Sequence, residues 1–147
     1  MSATDFTSAG RVVMLLDPDE HAAGATPAGI ELDTLGWRFL HVTVMTGAVA
    51  ATADGTINVQ AATSTGGSFS TISGATFTVA ATDDDTVLHG VIDLEQQARY
   101  IKLDTTTGTG GASDIAVVGV LYGCANTAEY INSGSGEADE LTFRVLS

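Results

Sequence analysis

The residues able to do chemistry do not share the spacing of any reaction centre. His21, His41 and His89 lie far apart in the chain, with no HExxH pair and no Cys–His combination. A zinc site would have to gather its ligands from distant segments. None of the serines sits in a GxSxG turn, so no nucleophile elbow is available. The densest carboxylates are Asp83, Asp84 and Asp85, and the cluster of Glu137, Asp139 and Glu140. Calcium needs several oxygen ligands from a loop, and the triplet lacks the EF-hand spacing. It reads as charge on a solvated turn, with irregular Ca²⁺ binding as the alternative. A glycosidase needs two carboxylates across a cleft, and a chain this poor in aromatics makes a poor sugar cleft. Trp37 is the only tryptophan and opens an apolar strand, which suits a core plug better than a stacking platform. Gly108 to Gly111 resembles a glycine-rich loop. No Lys-Ser/Thr pair or helix start follows it, so a phosphate cradle is not expected. These readings describe a protein that is not an enzyme and has no catalytic residues, cofactor or metal.

Composition sharpens the exclusions. The chain has 147 residues, enough for one domain with its own core. Its hydrophobic fraction is 44%, too high for a disordered chain, but aromatics make up only 6%, so small and β-branched side chains must build the core. Eighteen acidic residues stand against five Lys and Arg, for a net charge of −13. Such a surface repels nucleic-acid phosphates and anionic membranes, because binding to either rests on Lys and Arg. The charge suits solubility or steering toward a basic surface. The single cysteine, Cys124, excludes an intrachain disulfide and lies beside an apolar run, as a buried thiol does. The start of the chain has neither the basic region nor the apolar core of a signal peptide, and no stretch reaches the roughly 18 apolar residues of a membrane span. A soluble protein made in the cytoplasm is the expectation.

The elements that would position these residues are short apolar runs divided by Gly, Asp, Thr and Ser. Strands are predicted at 11–16, ending at Asp17-Pro18-Asp19, and at 37–45, 56–61, 68–72, 75–79, 86–94, 99–103 and 115–122. Residues 20–33 read as an irregular loop. Ile57, Val59 and Ala61 alternate onto one face. Asp54-Gly55, Gly66-Gly67 and Gly108 to Gly111 carry the turn chemistry. Helix signals are limited to single turns at 93–98 and 125–131, both too short to stand alone. The fold class is all-β, an antiparallel β-sandwich.

The C-terminal end differs from the rest. Residues 133–136, Ser-Gly-Ser-Gly, form a flexible spacer by composition. Beyond the acidic cluster, Leu141, Phe143 and Val145 alternate with Thr142, Arg144 and Leu146 as a strand would. Such a strand either closes the chain's own sheet or adds to a neighbour's edge. The expected division is an N-terminal arm (1–10), a β-sandwich domain (11–124) and a C-terminal extension with a terminal strand (125–147). Leu141, Phe143 and Val145 are the expected docking residues, and the strand bearing Arg11 and Val13 is their expected partner edge.

Two stretches resemble small virion proteins of tailed bacteriophages. One is LDTLGWRFLHVTV (32–44) followed by Gly47, an Asp-bearing turn and a Gly-aromatic pair opening a strand. The other is GGSFSTISGA (66–75) followed by ARYIKL (98–103). The resemblance spans roughly residues 30 to 123 and carries no catalytic residue. It implies a jelly-roll-like fold, an oligomer (commonly a trimer), and a capsid decoration or cement protein. Such a protein binds the major capsid protein on the outer surface of the virion and stabilises the shell. The RYIKL strand also resembles discoidin-type jelly rolls, which bind carbohydrate or lipid head groups, although a single cysteine cannot form the disulfide those domains often carry. A glycan-binding jelly-roll module, as in a phage fibre, is therefore the alternative. A ring-forming head–tail or tail-tube component is a third class.

Overall fold

A computed structural model of the chain describes residues 10–123. Its strands are β1 (Gly10–His21), β2 (Leu32–Asp33), β3 (Phe39–Val49), β4 (Gly55–Ala62), β5 (Ser70–Val79), β6 (Val87–Asp93), β7 (Tyr100–Thr106) and β8 (Ser113–Tyr122). They form two four-stranded sheets, ordered β1-β8-β3-β6 and β2-β7-β4-β5. The antiparallel pairs are nested: β4 with β5, β3 with β6, β2 with β7, and β1 with β8. A long hairpin folded over on itself gives that pattern, and eight strands in this order make a jelly roll. The all-β, jelly-roll-like sandwich expected from the sequence is what forms.

The core follows from strand alternation. Val13, Leu15, Leu40, Val42, Val44, Val117 and Leu121 point inward from the first sheet, and Ile57, Val59, Ile101 and Leu103 from the second. Trp37 is buried among them as the expected core plug, while Ala61 is only half-buried and packs against the cluster. Small side chains suffice because the glycines let backbones close up. A Cβ on Gly108 would stand 2.0 Å from the Ala53 carbonyl oxygen, and one on Gly111 would stand 2.1 Å from that of Ala50. The glycine run at 108–111 thus packs the β7–β8 loop onto the β3–β4 loop, which explains it without any phosphate.

Several strand limits differ from the sequence expectation. β1 does not stop at Asp17-Pro18-Asp19 but runs on to His21, through register shifts between Met14 and Leu16 and between Leu16 and Asp19. Pro18 is tolerated because β1 is an edge strand, where a missing N–H need not cost a ladder bond. The expected pair of strands at 68–72 and 75–79 is one strand, β5. Its intervening Gly74, at φ +80°, lies in an irregular stretch opposite Asn58 and Gln60 rather than in a turn. β3 also passes the expected stop at Thr46-Gly47 and reaches Val49. The short helical signal after Asp93 becomes a single 3-10 turn, Leu94–Gln96, whose Glu95 N–H donates to the Asp93 carboxylate. The turn expected at 125–131, Cys124 and the terminal strand with Leu141, Phe143 and Val145 lie outside the described residues.

Candidate docking face

The two sheets present opposite kinds of surface to the outside. On the β2-β7-β4-β5 sheet, Thr56, Asn58 and Gln60 of β4 alternate outward beside Lys102, Asp104 and Thr106 of β7. Their side chains bond one another: Thr76 Oγ1 donates to Asn58 Oδ1 at 2.8 Å, and Gln60 Nε2 donates to Thr71 Oγ1 at 3.4 Å. Apolar-in, polar-out alternation marks a sheet with one face in water.

The β1-β8-β3-β6 sheet breaks that rule. Its outward residues fall in rows across the four strands. Val12, Val120, His41 and Val91 make one row, and Met14, Val118, Thr43 and His89 the next. Ala116, Met45 and Val87 continue on one side, while Tyr122 and Phe39 lie on the other beside Asp93, their rings stacked with centroids 5.1 Å apart. Val12, Val87 and Val91 are each more than half exposed, and four of the five large exposed hydrophobic residues among the described positions belong to this face. The rows of Val12 and Met14 hold no Lys, Arg, Asp or Glu; Asp93 bounds them at one end, and the exposed Asp17, Asp19 and Glu20 of β1 with Asp114 of β8 at the other. On a chain of net charge −13 this is a segregated apolar surface. Four strands at about 4.8 Å and eight residues at about 3.3 Å give it roughly 500 Å² in projection. A contiguous apolar patch of that size ranks with the largest on an ordinary monomer, which is often functional.

Of the residues singled out from the sequence, Arg11 and Val13 are buried, 7% and 4% exposed, on the inward side of β1. Contact through β1 would therefore run through its backbone edge and the outward Val12 and Met14. β8 pairs with one side of β1, and no strand among the described residues pairs with the other, although the Leu15 carbonyl accepts the Ile30 N–H at 2.9 Å. The sequence reading missed the outward face itself. A signal was present: Val12 to Leu16 and Ile115 to Tyr122 are apolar at nearly every position, the pattern of strands covered on both sides.

The carboxylate triplet belongs to the fold. Asp84 Oδ1 accepts the Val49 N–H at 2.6 Å, and Asp83 Oδ2 accepts the Ala80 N–H at 2.8 Å. Thr46 Oγ1 donates to the Asp83 carbonyl, binding the same loop to β3. His41 Nε2 and His89 Nδ1, by contrast, meet at 3.2 Å on the β3–β6 side of the apolar face, their rings nearly perpendicular. Among the described residues no three metal-ligating side chains converge.

No protein family matches the chain, and no curated protein does. Among the solved structures that share its fold are two derived from phages. The SPBc2 prophage-derived protein YomS superposes with a TM-score of 0.53 at 14% identity, over 78% of this chain and 93% of that one. The PBSX exported protein XepA superposes with a TM-score of 0.59 at 13% identity, over 98% of this chain. The chain spans about half of XepA, 46% of its length. At these identities the likeness is one of fold, and the jelly roll is a fold this chain shares with proteins derived from phages.

Proposed function

We propose that this protein is a structural component of a phage particle that docks through the outer face of the β1-β8-β3-β6 sheet, as a decoration protein on the capsid exterior. The carrying observation is the uncharged apolar face on an otherwise acidic molecule. Its occupant is the major capsid protein, whose surface must be apolar where it meets the valine rows. The fold shared with phage-derived proteins supports the setting. The face alone supplies roughly 500 of the roughly 800 Å² per partner that a stable interface buries. The remainder comes from the chain ends. Gly10 and Tyr122 are register partners in the row at one end of the face, so residues 1–9 and 124–147 both join the domain there. Leu141, Phe143 and Val145, outside the described residues, are the residues proposed to add to that contact. The assembled form is a trimer.

Co-sedimentation with expanded capsids tests this reading. The full chain pellets with capsids, and Val12→Glu/Val91→Glu abolishes pelleting while leaving the fold intact. Deleting residues 133–147 weakens it. Unchanged pelleting of the double variant removes the docking face, and unchanged affinity of the truncated chain removes the clamp. Mass photometry distinguishes trimers from the larger rings of a tail component. The glycan-binding alternative has less support, because Trp37 is buried and Asp83 and Asp84 are engaged by backbone amides. A glycan array with and without chelator should stay blank.

A further inference from the structure

The three histidines give no metal spacing in the sequence, yet the nested topology brings two of them together. β3 and β6 pair so that His41 lies opposite Val91 and Thr43 opposite His89, which makes the histidines diagonal neighbours on one face. Their facing nitrogens, His41 Nε2 and His89 Nδ1, are 3.2 Å apart, with the rings at 83°. Two imidazoles at that distance can share one proton in a hydrogen bond. They can equally share one metal ion. Ligand bonds of about 2.0–2.1 Å at a tetrahedral zinc place two adjacent nitrogens roughly 3.3 Å apart. The observed separation therefore matches the bite of the ion, and each ring would turn by roughly 35° to aim its lone pair at it.

The surroundings set no positive charge against a cation. The neighbouring outward residues are Val91, Val120, Thr43, Met14, Val118 and Val87, none of which carries charge. The ionisable groups beyond those rows are Asp93 and Tyr122 in one end row, with Arg38, whose guanidinium lies over the Phe39 ring and pairs with Glu95, and at the other end Asp17, Asp19, Glu20 and Asp114. No lysine or arginine occurs in the rows that hold the histidines, and the net charge of −13 attracts cations to the whole surface. β8 and β3 lie between β1 and β6 in one hydrogen-bonded sheet, so both histidines stand on a rigid support rather than on loops.

We propose that His41 and His89 form a two-imidazole site for a borderline divalent ion of the zinc class, on the β3–β6 side of the apolar face. Imidazole nitrogen suits Zn²⁺, Ni²⁺ and Cu²⁺ and discriminates against Ca²⁺ and Mg²⁺, which take oxygen ligands. The two coordination positions that remain point away from the sheet, toward water or toward whatever covers the face. The site is a property of the isolated chain, so its test needs no partner and stands or falls apart from the docking reading.

Isothermal titration of the full chain with Zn²⁺ at pH 7.5 is the test, repeated with His41→Gln, His89→Gln and, as control, His21→Gln. Glutamine keeps a polar group at these surface positions, and far-UV circular dichroism checks that each variant folds. One ion binds per chain. Either His41→Gln or His89→Gln removes that binding, and His21→Gln retains it. Addition of Co²⁺ to a ¹H–¹⁵N spectrum shifts or broadens residues 39–43 and 87–91 first. The proposal is overturned if no saturable binding occurs. It is equally overturned if His41→Gln and His89→Gln bind as the parent does, which would assign the ion to Cys124 or the acidic C-terminal residues instead.

Discussion

Asp33 receives both arms of Arg99: Nε donates to Oδ1 at 2.8 Å and Nη2 to Oδ2 at 2.6 Å. The pair joins β2 to the start of β7 and is the fastening of the shortest strand, which has only two ladder positions of its own. The Arg99 guanidinium, helped by the Leu35 N–H, holds the Asp33 carboxyl below its ordinary range, while partial burial opposes that shift. A depressed carboxylate stabilises the fold above its unfolded pKa of about 3.9, and that contribution disappears as pH falls through the lower folded value. Urea midpoints of the parent should therefore drop more steeply between about pH 5 and pH 2 than those of Asp33→Asn. At neutral pH the variant should be only slightly less stable, since both side chains are 43% exposed to solvent. Parallel pH profiles would show that the pair carries no stability.

The close approach of loops at the β3–β4 and β7–β8 connections gives a harsher prediction. Gly108→Ala must push its Cβ off the Ala53 carbonyl, and the backbone of one loop must move. Overpacking of this kind costs about 2–3 kcal/mol. Gly66, also a turn glycine but at φ +62° with open space around it, should lose about 1 kcal/mol on the same change. Denaturant titration of the two variants side by side ranks them, and equal losses would mean that the contact is not limiting.

Much of this architecture was legible from alternation. β4 and β7 show their buried residues at every second position, and the turn glycines fall where the chain reverses. The extension of β1 was not legible, because Asp17-Pro18-Asp19 reads locally as a stop. Leu15 and Leu16 are both buried, and only register shifts let one strand place two successive side chains inside. The fusion of two short runs into β5 was hidden for the same reason, since Gly74 looks alike in a turn and in a bulge. The docking face was half legible. The uninterrupted apolar runs of β1 and β8 ask for cover on both sides, but Val91 and Met45 alone look like ordinary strand residues. Their grouping depends on the pairing of β3 with β6 and β8, as does the meeting of His41 with His89 across 48 residues.

The Asp83 to Asp85 turn allows calcium and structure to be separated by measurement. Asp84 caps the Val49 N–H at the end of β3. Asp84→Ala leaves that part-buried donor without its acceptor and should cost about 1–3 kcal/mol. Because Asp83 and Asp84 each accept a backbone amide, millimolar Ca²⁺ should leave the melting temperature of the parent unchanged relative to EDTA. A calcium-dependent rise would return the triplet to the list of binding sites.

The sharpest test of the division between the two sheets is a matched pair of charges. Val120 and Gln60 occupy central strands, β8 and β4, and both point outward. If the β1-β8-β3-β6 face is covered in the working assembly, Val120→Glu removes capsid binding and Gln60→Glu does not. Folding should notice neither strongly: outward substitutions away from caps and core usually change stability by about 0.5 kcal/mol or less. The uncovered apolar rows also predict a difference in the isolated protein. Concentrated parent protein should self-associate weakly through that face as salt screens the mutual repulsion of its acidic surface. Light scattering across a salt series reads this directly. Val120→Glu should abolish the rise while Gln60→Glu leaves it, because only the first places a charge among the valines. Equal behaviour of the two variants would mean that the sheets do not differ in what they bind, and the docking face would lose its basis.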